Sequence, residues 1–309
     1  MKRLAQRLLS LVPTTVGALV LVFLLMRVLP GDPAAAMLGT NATAQGVADL
    51  RAQLGLDKSL PEQFLDYVWG LVKLDLGRSL ALRAPVTTLL AQALTPTLLL
   101  TIGGTLVSVL IGVPLGIIAA IRRGRWTDYL ASTGALLGIS VPVFVWGVLL
   151  LRAFSLQWPI LPSAGAGTTP VEVLKALILP SIATGFFQAG LVARITRSSM
   201  LSILSNDYVR TAKAKGLAAP AVIGNHALRN ALIPVITVIG LNLGTLLGGA
   251  VVAETVFTRP GLGRLILDAI AARDYPVIQG VMIVSVVFVV VLNLFIDLLY
   301  GVADPRVRA

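Results

Sequence analysis

The sequence predicts an all-α, polytopic membrane protein with six transmembrane helices. Hydrophobic residues make up 56% of the chain and charged residues only 13%, and the mean hydropathy is +0.89, a composition that soluble globular domains do not show. Uncharged runs of about 18 residues or more, each long enough to cross a hydrocarbon core of ~30 Å, recur along the chain. Basic residues collect between alternate runs, which is the asymmetry that orients membrane helices.

The first predicted span follows a basic N-terminus that carries Lys2, Arg3 and Arg7. Its apolar run of about 19 residues exceeds the ~7 to 15 residues of a signal-peptide core, so we expect a retained helix with its N-terminus in the cytoplasm. The region 30–93 is polar, and we expect it outside the membrane with an amphipathic helix over 61–74. The five remaining spans are predicted at 94–121, 129–151, 176–193, 231–253 and 277–296.

The charge balance of the connecting segments supports this topology. The pieces assigned to the cytoplasm carry 14 basic against three acidic residues, whereas the outer pieces carry 11 against ten. Both termini are therefore expected inside. The chain divides into the N-terminus with the first span (1–29), the outer region (30–93) and a five-span core (94–309), which includes a cytoplasmic loop at 199–230.

Composition also excludes several kinds of chemistry. Cysteine is absent and histidine occurs once, so neither disulfides nor a multi-histidine or thiolate metal site is expected. A net charge of +11 suggests nucleic-acid binding, but the basic residues follow topology and form no single patch, so we expect no nucleic acid. The chain has no Gly-Lys pair and hence no phosphate-binding loop of an ATPase. We expect no catalytic residue, metal or cofactor in this chain.

The most informative stretch is basic and polar, at 205–234, between the fourth and fifth spans. Asp207 or a neighbour caps a short helix whose apolar stripe is Tyr208, Val209 and Ala212, because these recur at spacings of three and four. Gly216 is expected to end this helix in a left-handed conformation, and a second short helix follows near Pro220. From composition alone, a solvated connector and a docking element for a cytoplasmic partner are equally good interpretations.

The interior of the spans is rich in small residues, and Gly240, Gly244 and Gly248 place a smooth stripe on one face of the fifth. Such a stripe allows helices to approach closely in lipid. Two interpretations stay open: close packing, within the chain or across a dimer, and the wall of a translocation pathway.

The basic stretch resembles the signature loop of the permease subunits of ABC importers, which has the pattern EAA, three residues, G, nine residues, I-x-LP. Ala212, Gly216 and Leu228 match it. The departures resemble the dipeptide, oligopeptide and nickel branch of that superfamily; they are Arg210, Thr211, His226 and Arg229. Further motifs of that branch occur in order: RVLPGDP at 27–33, DLGRS at 75–79, ETVFTRPGLG at 254–263, RDYPVIQG at 273–280 and DPRVR at 304–308.

The resemblance implies the fold of a type I ABC importer transmembrane domain in a bacterial inner membrane. The partners implied are a second permease subunit, either a related chain or a copy of this one, two cytoplasmic ATPases that hold ATP and Mg²⁺, and an extracytoplasmic substrate-binding protein. The implied substrate is a dipeptide, an oligopeptide or a related small solute such as a nickel complex.

The resemblance also implies roles for particular residues. Those implied for coupling to the ATPases are Asp207, Tyr208, Arg210, Thr211, Ala212, Lys215 and Gly216. Contact with the binding protein is implied for an outer loop that contains Glu254, Pro260, Gly261 and Gly263, with a turn at 260–263. The polar span residues expected to line the pathway are Gln188, Asn242 and Thr245.

The alternative is a stand-alone secondary transporter or channel. Ion-coupled transport requires ionisable residues near the bilayer midplane, and Asp297, near the inner end of the last span, is the one acidic candidate. A channel is expected to pass solute when purified alone, whereas a permease subunit is inert without its partners.

Overall fold

The computed structural model describes residues 13, 15–24, 33–38, 43–53, 55–79 and 81–303. Helices dominate these residues, and they contain no β-strand, only an isolated bridge between Arg78 and Pro85. The helices are α1 (Thr15–Leu24), α2 (Pro33–Leu38), α3 (Ala44–Gln53), α4 (Leu60–Val72), α5 (Val86–Ile121), α6 (Trp126–Ser140), α7 (Val143–Leu151), α8 (Pro170–Leu204), α9 (Asp207–Ala214), α10 (Ala219–Ala221), α11 (Arg229–Val256), α12 (Leu262–Ala271) and α13 (Tyr275–Ala303).

Three of these helices are long and apolar enough to cross a membrane by themselves, namely α5, α8 and α13. Two bent pairs raise the number to five if each pair counts as one span. The all-α class is confirmed, whereas the count of six is not: of the predicted first span only α1 is described, and the rest of it lies outside the described residues.

The third predicted span is not one straight helix. α6 and α7 meet at an angle of 99°, so the predicted span at 129–151 consists of two helices with a break between them. Proline at 142 explains the break, because its ring disfavours a helical conformation at the preceding residue. Val141 is accordingly extended, with φ −89° and ψ 121°. A π-helical segment, Arg152–Gln157, continues α7.

α4 confirms the amphipathic helix predicted in the outer region. Ser59 and Glu62 form a capping box at its start, in which the Ser59 amide donates to the Glu62 carboxylate at 3.0 Å. Reciprocal capping satisfies amides that the first turn leaves unpaired. Phe64 packs edge-to-face on Phe23 of α1 at 5.2 Å between ring centres, while Leu65 and Trp69 are exposed.

The chain folds into two compact units, residues 1–95 with 261–291, and residues 96–260 with 292–309. The first is built around Val86 and Leu90 of α5 and residues of α12 and α13. The second has an apolar cluster around Leu100, Leu179 and Phe257 and another around Ala120, Met200 and Ala231. For comparison, the sequence predicts a boundary between the outer region and the core after residue 93, and the first unit includes residues up to 95.

In the second unit, α8 packs closely on α5 and α6 because glycines stand at the crossings. A Cβ added to Gly112 of α5 would lie 2.7 Å from the Ala189 carbonyl oxygen, and one added to Gly138 of α6 would lie 2.7 Å from that of Phe186. A Cβ added to Gly244 or Gly248, by contrast, would meet nothing within 4 Å. Gly244 and Gly248 therefore do not serve close packing of α11 against another described helix of this chain.

Candidate functional site

The loop between α8 and α11 places a short helix, α9, two residues after α8 ends. Val209 and Ala212 form its inner face; Val209 is 0% exposed, and both pack with Val222 against Ile203 and Leu204. Apolar residues at spacings of three and four produce this single buried stripe. Tyr208, which the sequence places on the same stripe, is instead 43% exposed. Its hydroxyl accepts a hydrogen bond from the Asn230 side chain at 3.2 Å, which ties α9 to α11.

Gly216 ends α9 as predicted, with φ +80°. The Leu217 amide donates to the Ala212 carbonyl at 3.4 Å across this turn, which is the kind of bond that closes a helix through a left-handed residue. A Cβ on Gly216 would meet nothing within 4 Å. The backbone conformation, and not a close approach, therefore requires glycine here.

The second short helix is not a separate element, which corrects the prediction of two short helices. α10 begins at Ala219 with Pro220 in its first turn, where proline is tolerated, and a π-helical segment, Val222–Leu228, leads directly into α11. Between α8 and the end of α11, the chain therefore has one separate short helix, α9, and one long helical element that runs from 219 to 256.

The outer face of α9 is polar. The Asp207 and Arg210 side chains are 97% and 74% exposed and lie 3.7 Å apart, so their attraction is weak. Thr211 and Lys215 are exposed as well, and the Thr211 hydroxyl donates to the Asp207 carbonyl at 2.9 Å. Of the predicted coupling residues, Ala212 is an anchor, and Asp207, Arg210, Thr211 and Lys215 form an accessible face.

A bidentate ion pair joins α6 to α8, and none of the sequence patterns predicts it. Arg197 Nε and Nη2 donate to Asp128 Oδ1 and Oδ2, each at 2.8 Å. The Gly124 amide donates to Asp128 Oδ2 at 3.0 Å, and the Ser132 hydroxyl to Oδ1 at 3.3 Å. The available signal is one acidic residue that stands three positions after the last of three arginines, at 122, 123 and 125. The charge balance counts all four only as markers of topology.

The three predicted pathway residues meet in the structure. Gln188 of α8, only 3% exposed, donates to the Asn242 carbonyl of α11 at 3.0 Å. The Thr245 hydroxyl donates to the same carbonyl at 2.7 Å, and the side-chain amide of Asn242 donates to the Val238 carbonyl at 2.7 Å. This group lies where α11 bends by 42° between Gly240 and Asn242. Thr245 is on the exposed side.

The outer-loop candidates differ in accessibility. Pro260 is exposed, whereas Glu254, Gly261 and Gly263 are buried. The predicted turn at 260–263 is shorter than expected, because α12 already begins at Leu262. Of these four residues, only Pro260 is positioned for direct contact with another protein in this conformation.

Glu254 has a different environment from the one expected of an outer-loop contact. It is 0% exposed, and its carboxylate accepts from the Thr97 hydroxyl at 2.5 Å. Arg259 is 1% exposed, and its Nε and Nη1 have no hydrogen-bond partner among the described residues. Burial lowers the pKa of the Arg259 guanidinium, and the charge of Glu254 opposes this shift. Glu254 therefore compensates a buried cation.

Two of the family motifs contact each other within the first unit. The Ser79 hydroxyl of DLGRS donates to Asp274 Oδ2 of RDYPVIQG at 2.5 Å, and the Ala81 amide donates to the same oxygen at 3.3 Å. Both Ser79 and Asp274 are buried. Sequence spacing alone gives no signal for this pairing, since 195 residues separate the partners.

Helices of membrane-spanning length, the short helix α9 between two of them and this set of motifs define a permease subunit of an ABC importer. The family of binding-protein-dependent transport system inner membrane components matches residues 112–309, and the N-terminal component of the same system matches residues 1–101. The chain belongs to this family, in its peptide and nickel branch. Membership of this family rules out the alternative raised from the sequence, a stand-alone secondary transporter or channel.

Individual relatives and solved structures agree with this assignment. The glutathione transport system permease protein GsiC of Salmonella typhimurium (strain LT2) is 45% identical over 303 residues, which cover 98% of this chain and 97% of the relative. GsiC of Escherichia coli (strain K12) has the same identity and coverage.

Among solved structures, inward-facing conformations of the MetNI methionine ABC transporter match with a TM-score of 0.59 at 18% identity, and the match covers 70% of this chain and 96% of that one. An amino acid ABC transporter solved with histidines matches with a TM-score of 0.53 at 16% identity, over 70% and 94% of the two chains. These two likenesses concern the fold alone.

The family membership settles the general setting of the chain. It is a multi-pass protein of the inner membrane, and a permease subunit of this kind works with a partner permease, with ATPase subunits and with a binding protein. ATP hydrolysis belongs to the separate ATPase subunits of such a transporter.

Proposed function

We propose that this chain forms half of the translocation pathway of an ATP-driven importer for short peptides such as glutathione. The 45% identity to glutathione permeases over nearly the full chain supports this substrate class. A dipeptide, a longer peptide or a nickel complex is the wider set that the family resemblance allows. Two ATPase subunits hold the ATP and Mg²⁺, and the second permease is a related chain or a copy of this one.

The observation that carries the coupling role is the construction of α9. Its inner face is fixed by Val209 and Ala212, while Asp207, Arg210 and Lys215 remain accessible. A helix that is fixed to the bundle on one side and exposed on the other transmits a push from an ATPase to the spans. A solvated connector has no need of such anchoring.

We assign the pathway wall to the exposed side of α11, around Asn242 and Thr245. Gly244 and Gly248, on the same helix, meet no neighbouring side chain of the described residues. A wall of small residues with a few hydrogen-bonding groups suits varied peptide backbones, because it offers little that anchors one side chain. At the outer mouth, Pro260 is the residue proposed to contact the binding protein.

The proposed orientation places both termini and α9 in the cytoplasm and the segment between α7 and α8 outside. Because the chain has no cysteine, single-cysteine labelling tests it directly. Ser163→Cys, in the exposed α7–α8 segment, is expected to react with a membrane-impermeant maleimide in intact spheroplasts. Arg123→Cys, between α5 and α6, is expected to react only after permeabilisation. The reverse pattern would contradict the orientation.

The test of the coupling role is Gly216→Val. A β-branched residue in the left-handed conformation costs about 1 to 2 kcal/mol, and since the site has room for the side chain, the effect falls on the end of α9. We expect membrane insertion and association with the second permease to persist, whereas the amount of co-purified ATPase and the rate of uptake fall. These four quantities are measured on the reconstituted complex.

Gly216→Asn is the matched control for this test, because asparagine tolerates positive φ better than other non-glycine residues. It is expected to retain most uptake. If Gly216→Val kept wild-type ATPase docking and wild-type uptake, the loop would be only a solvated connector. The family assignment would still hold.

A further inference from the structure

A partly open cavity of about 510 Å³ lies within the second unit between α5, α6 and α8. Its volume falls inside the ~300 to 1,000 Å³ of ordinary ligand pockets. Small side chains line it, and Ala131, Ala135 and Ala193 leave space that larger side chains would fill. Leu115 and Ile139 complete an apolar wall.

The cavity is polar at one end only. α5 ends at Ile121 and α6 begins at Trp126, so the later residues of α5 and the early residues of α6 mark the same end of the bundle. Arg194, Arg197 and Ser198 of α8 line the cavity at this end. The apolar lining residues Leu115 and Ile139 lie further from this end of the bundle, six residues before the end of α5 and 13 residues after the start of α6. The cavity therefore runs from a cationic end to an apolar end.

The cationic end has unused positive charge. Arg197 is committed to Asp128, whereas Arg194 is exposed and forms no ion pair with a carboxylate of the described residues. The connection between α5 and α6 adds exposed arginines, at 122, 123 and 125. Asp128 is the only acidic residue nearby in the chain, and its two oxygens already accept four hydrogen bonds. An anionic group fits this end.

The position of the cationic end relative to the bilayer is marked independently. Trp126 and Tyr129, in the first turn of α6, are 69% and 67% exposed. Exposed tryptophan and tyrosine on membrane helices are typical of the headgroup level. The basic end of the cavity thus lies at the interface, and the apolar end lies deeper in the hydrocarbon.

We infer that the cavity is a binding site for one anionic phospholipid, with an acyl chain between α5, α6 and α8 and the phosphate on Arg194. Basic pockets between membrane helices select anionic headgroups. A soluble anion would satisfy Arg194 but not the apolar wall, and a zwitterionic lipid would fill the wall but bring a cation towards the arginines. The bound lipid would brace the α6–α8 crossing beside the Asp128–Arg197 pair.

The test uses the intact transport complex, delipidated in detergent, and native mass spectrometry to count bound lipid. Phosphatidylglycerol, phosphatidylcholine and inorganic phosphate are titrated separately. Wild type is expected to retain one phosphatidylglycerol per copy of this chain and to bind phosphatidylcholine more weakly. Arg194→Ala is expected to lower the affinity for phosphatidylglycerol about fivefold. Arg152→Ala, an exposed arginine outside the cavity, is the control and is expected to bind as wild type does.

A second variant tests the apolar part of the site. Ala135→Phe fills the wall and leaves both arginines in the sequence, and it is expected to weaken phosphatidylglycerol binding as well. The thermal midpoint of the complex reports whether the variant folds. Equal binding by Arg194→Ala and Arg152→Ala would overturn the proposal. Complete displacement of the lipid by inorganic phosphate would also overturn it, as would the absence of any lipid adduct on the wild-type complex, which would indicate that the second permease covers the cavity.

Discussion

Replacing Glu254 with alanine is expected to destabilise the protein by about 1 to 3 kcal/mol, the usual cost of removing one partner from a buried polar interaction. Arg259 is almost fully buried, and the carboxylate of Glu254 is the acidic group whose charge favours its ionised form. The same substitution removes an acceptor from the Thr97 hydroxyl. The midpoint of unfolding in a denaturing-detergent titration of the purified complex measures the loss.

A double-mutant cycle separates charge compensation from simple loss of packing. Glu254→Ala combined with Arg259→Ala is expected to lose clearly less stability than the sum of the two single changes, because no uncompensated charge remains. Asp268→Ala serves as the control, since its carboxylate is 71% exposed and lies 3.7 Å from Arg264; such pairs contribute about 0 to 1 kcal/mol. Strict additivity of the two single changes would refute a coupling between Glu254 and Arg259.

Gly190→Leu is expected to prevent α6 and α8 from packing. The added Cβ would overlap the Ala135 carbonyl oxygen and approach Ile139 Cγ1 to 2.7 Å. A backbone carbonyl of a helix cannot move aside, so the helices must separate, and the cost reaches or exceeds the top of the ~1 to 3 kcal/mol range for overpacking. The expected result is a low yield of monodisperse complex and a lower thermal midpoint.

Gly134→Leu is the matched control, because Gly134 is on α6, the helix that α8 meets at Gly190, and a Cβ there would meet nothing within 4 Å. It is expected to leave the yield and the midpoint unchanged, or to raise the midpoint slightly, since leucine favours helices more than glycine does. If Gly190→Leu behaved like Gly134→Leu, the close contact of α6 with α8 would not be needed for folding.

Local signals predicted much of this structure. The positive φ of Gly216 and the amphipathic α4 follow from residue type and spacing, and both are observed. The length of α8 could not be predicted from hydropathy, which ends the fourth span at 193 because Arg194 and Arg197 follow. Helix α8 continues to Leu204, since Arg197 finds a partner in Asp128 on another helix. Pro142 accounts for the break between α6 and α7, but tertiary packing sets the angle of 99° between them.

The candidate site was predictable to a similar extent. Residue type identified Gln188, Asn242 and Thr245, although the shared Asn242 carbonyl depends on how α8 crosses α11. The family resemblance implied that Glu254 and Gly263 lie in an outer loop that contacts the binding protein. Their burial depends on tertiary contacts that no local pattern encodes.

α8 has 35 residues without a break, which corresponds to a rod of about 52 Å at 1.5 Å per residue. Its far end lies two residues from α9, while Gln188, near its middle, contacts the bend of α11. Under the proposed coupling role of α9, a rigid α8 would act as a lever, in which a small rotation at α9 becomes a displacement at Gln188 that grows with the distance from the pivot. The Asp128–Arg197 pair joins α8 to α6 between Gln188 and α9. We therefore expect the stiffness of this ion pair to set how far the proposed pathway wall moves for a given movement of the ATPases.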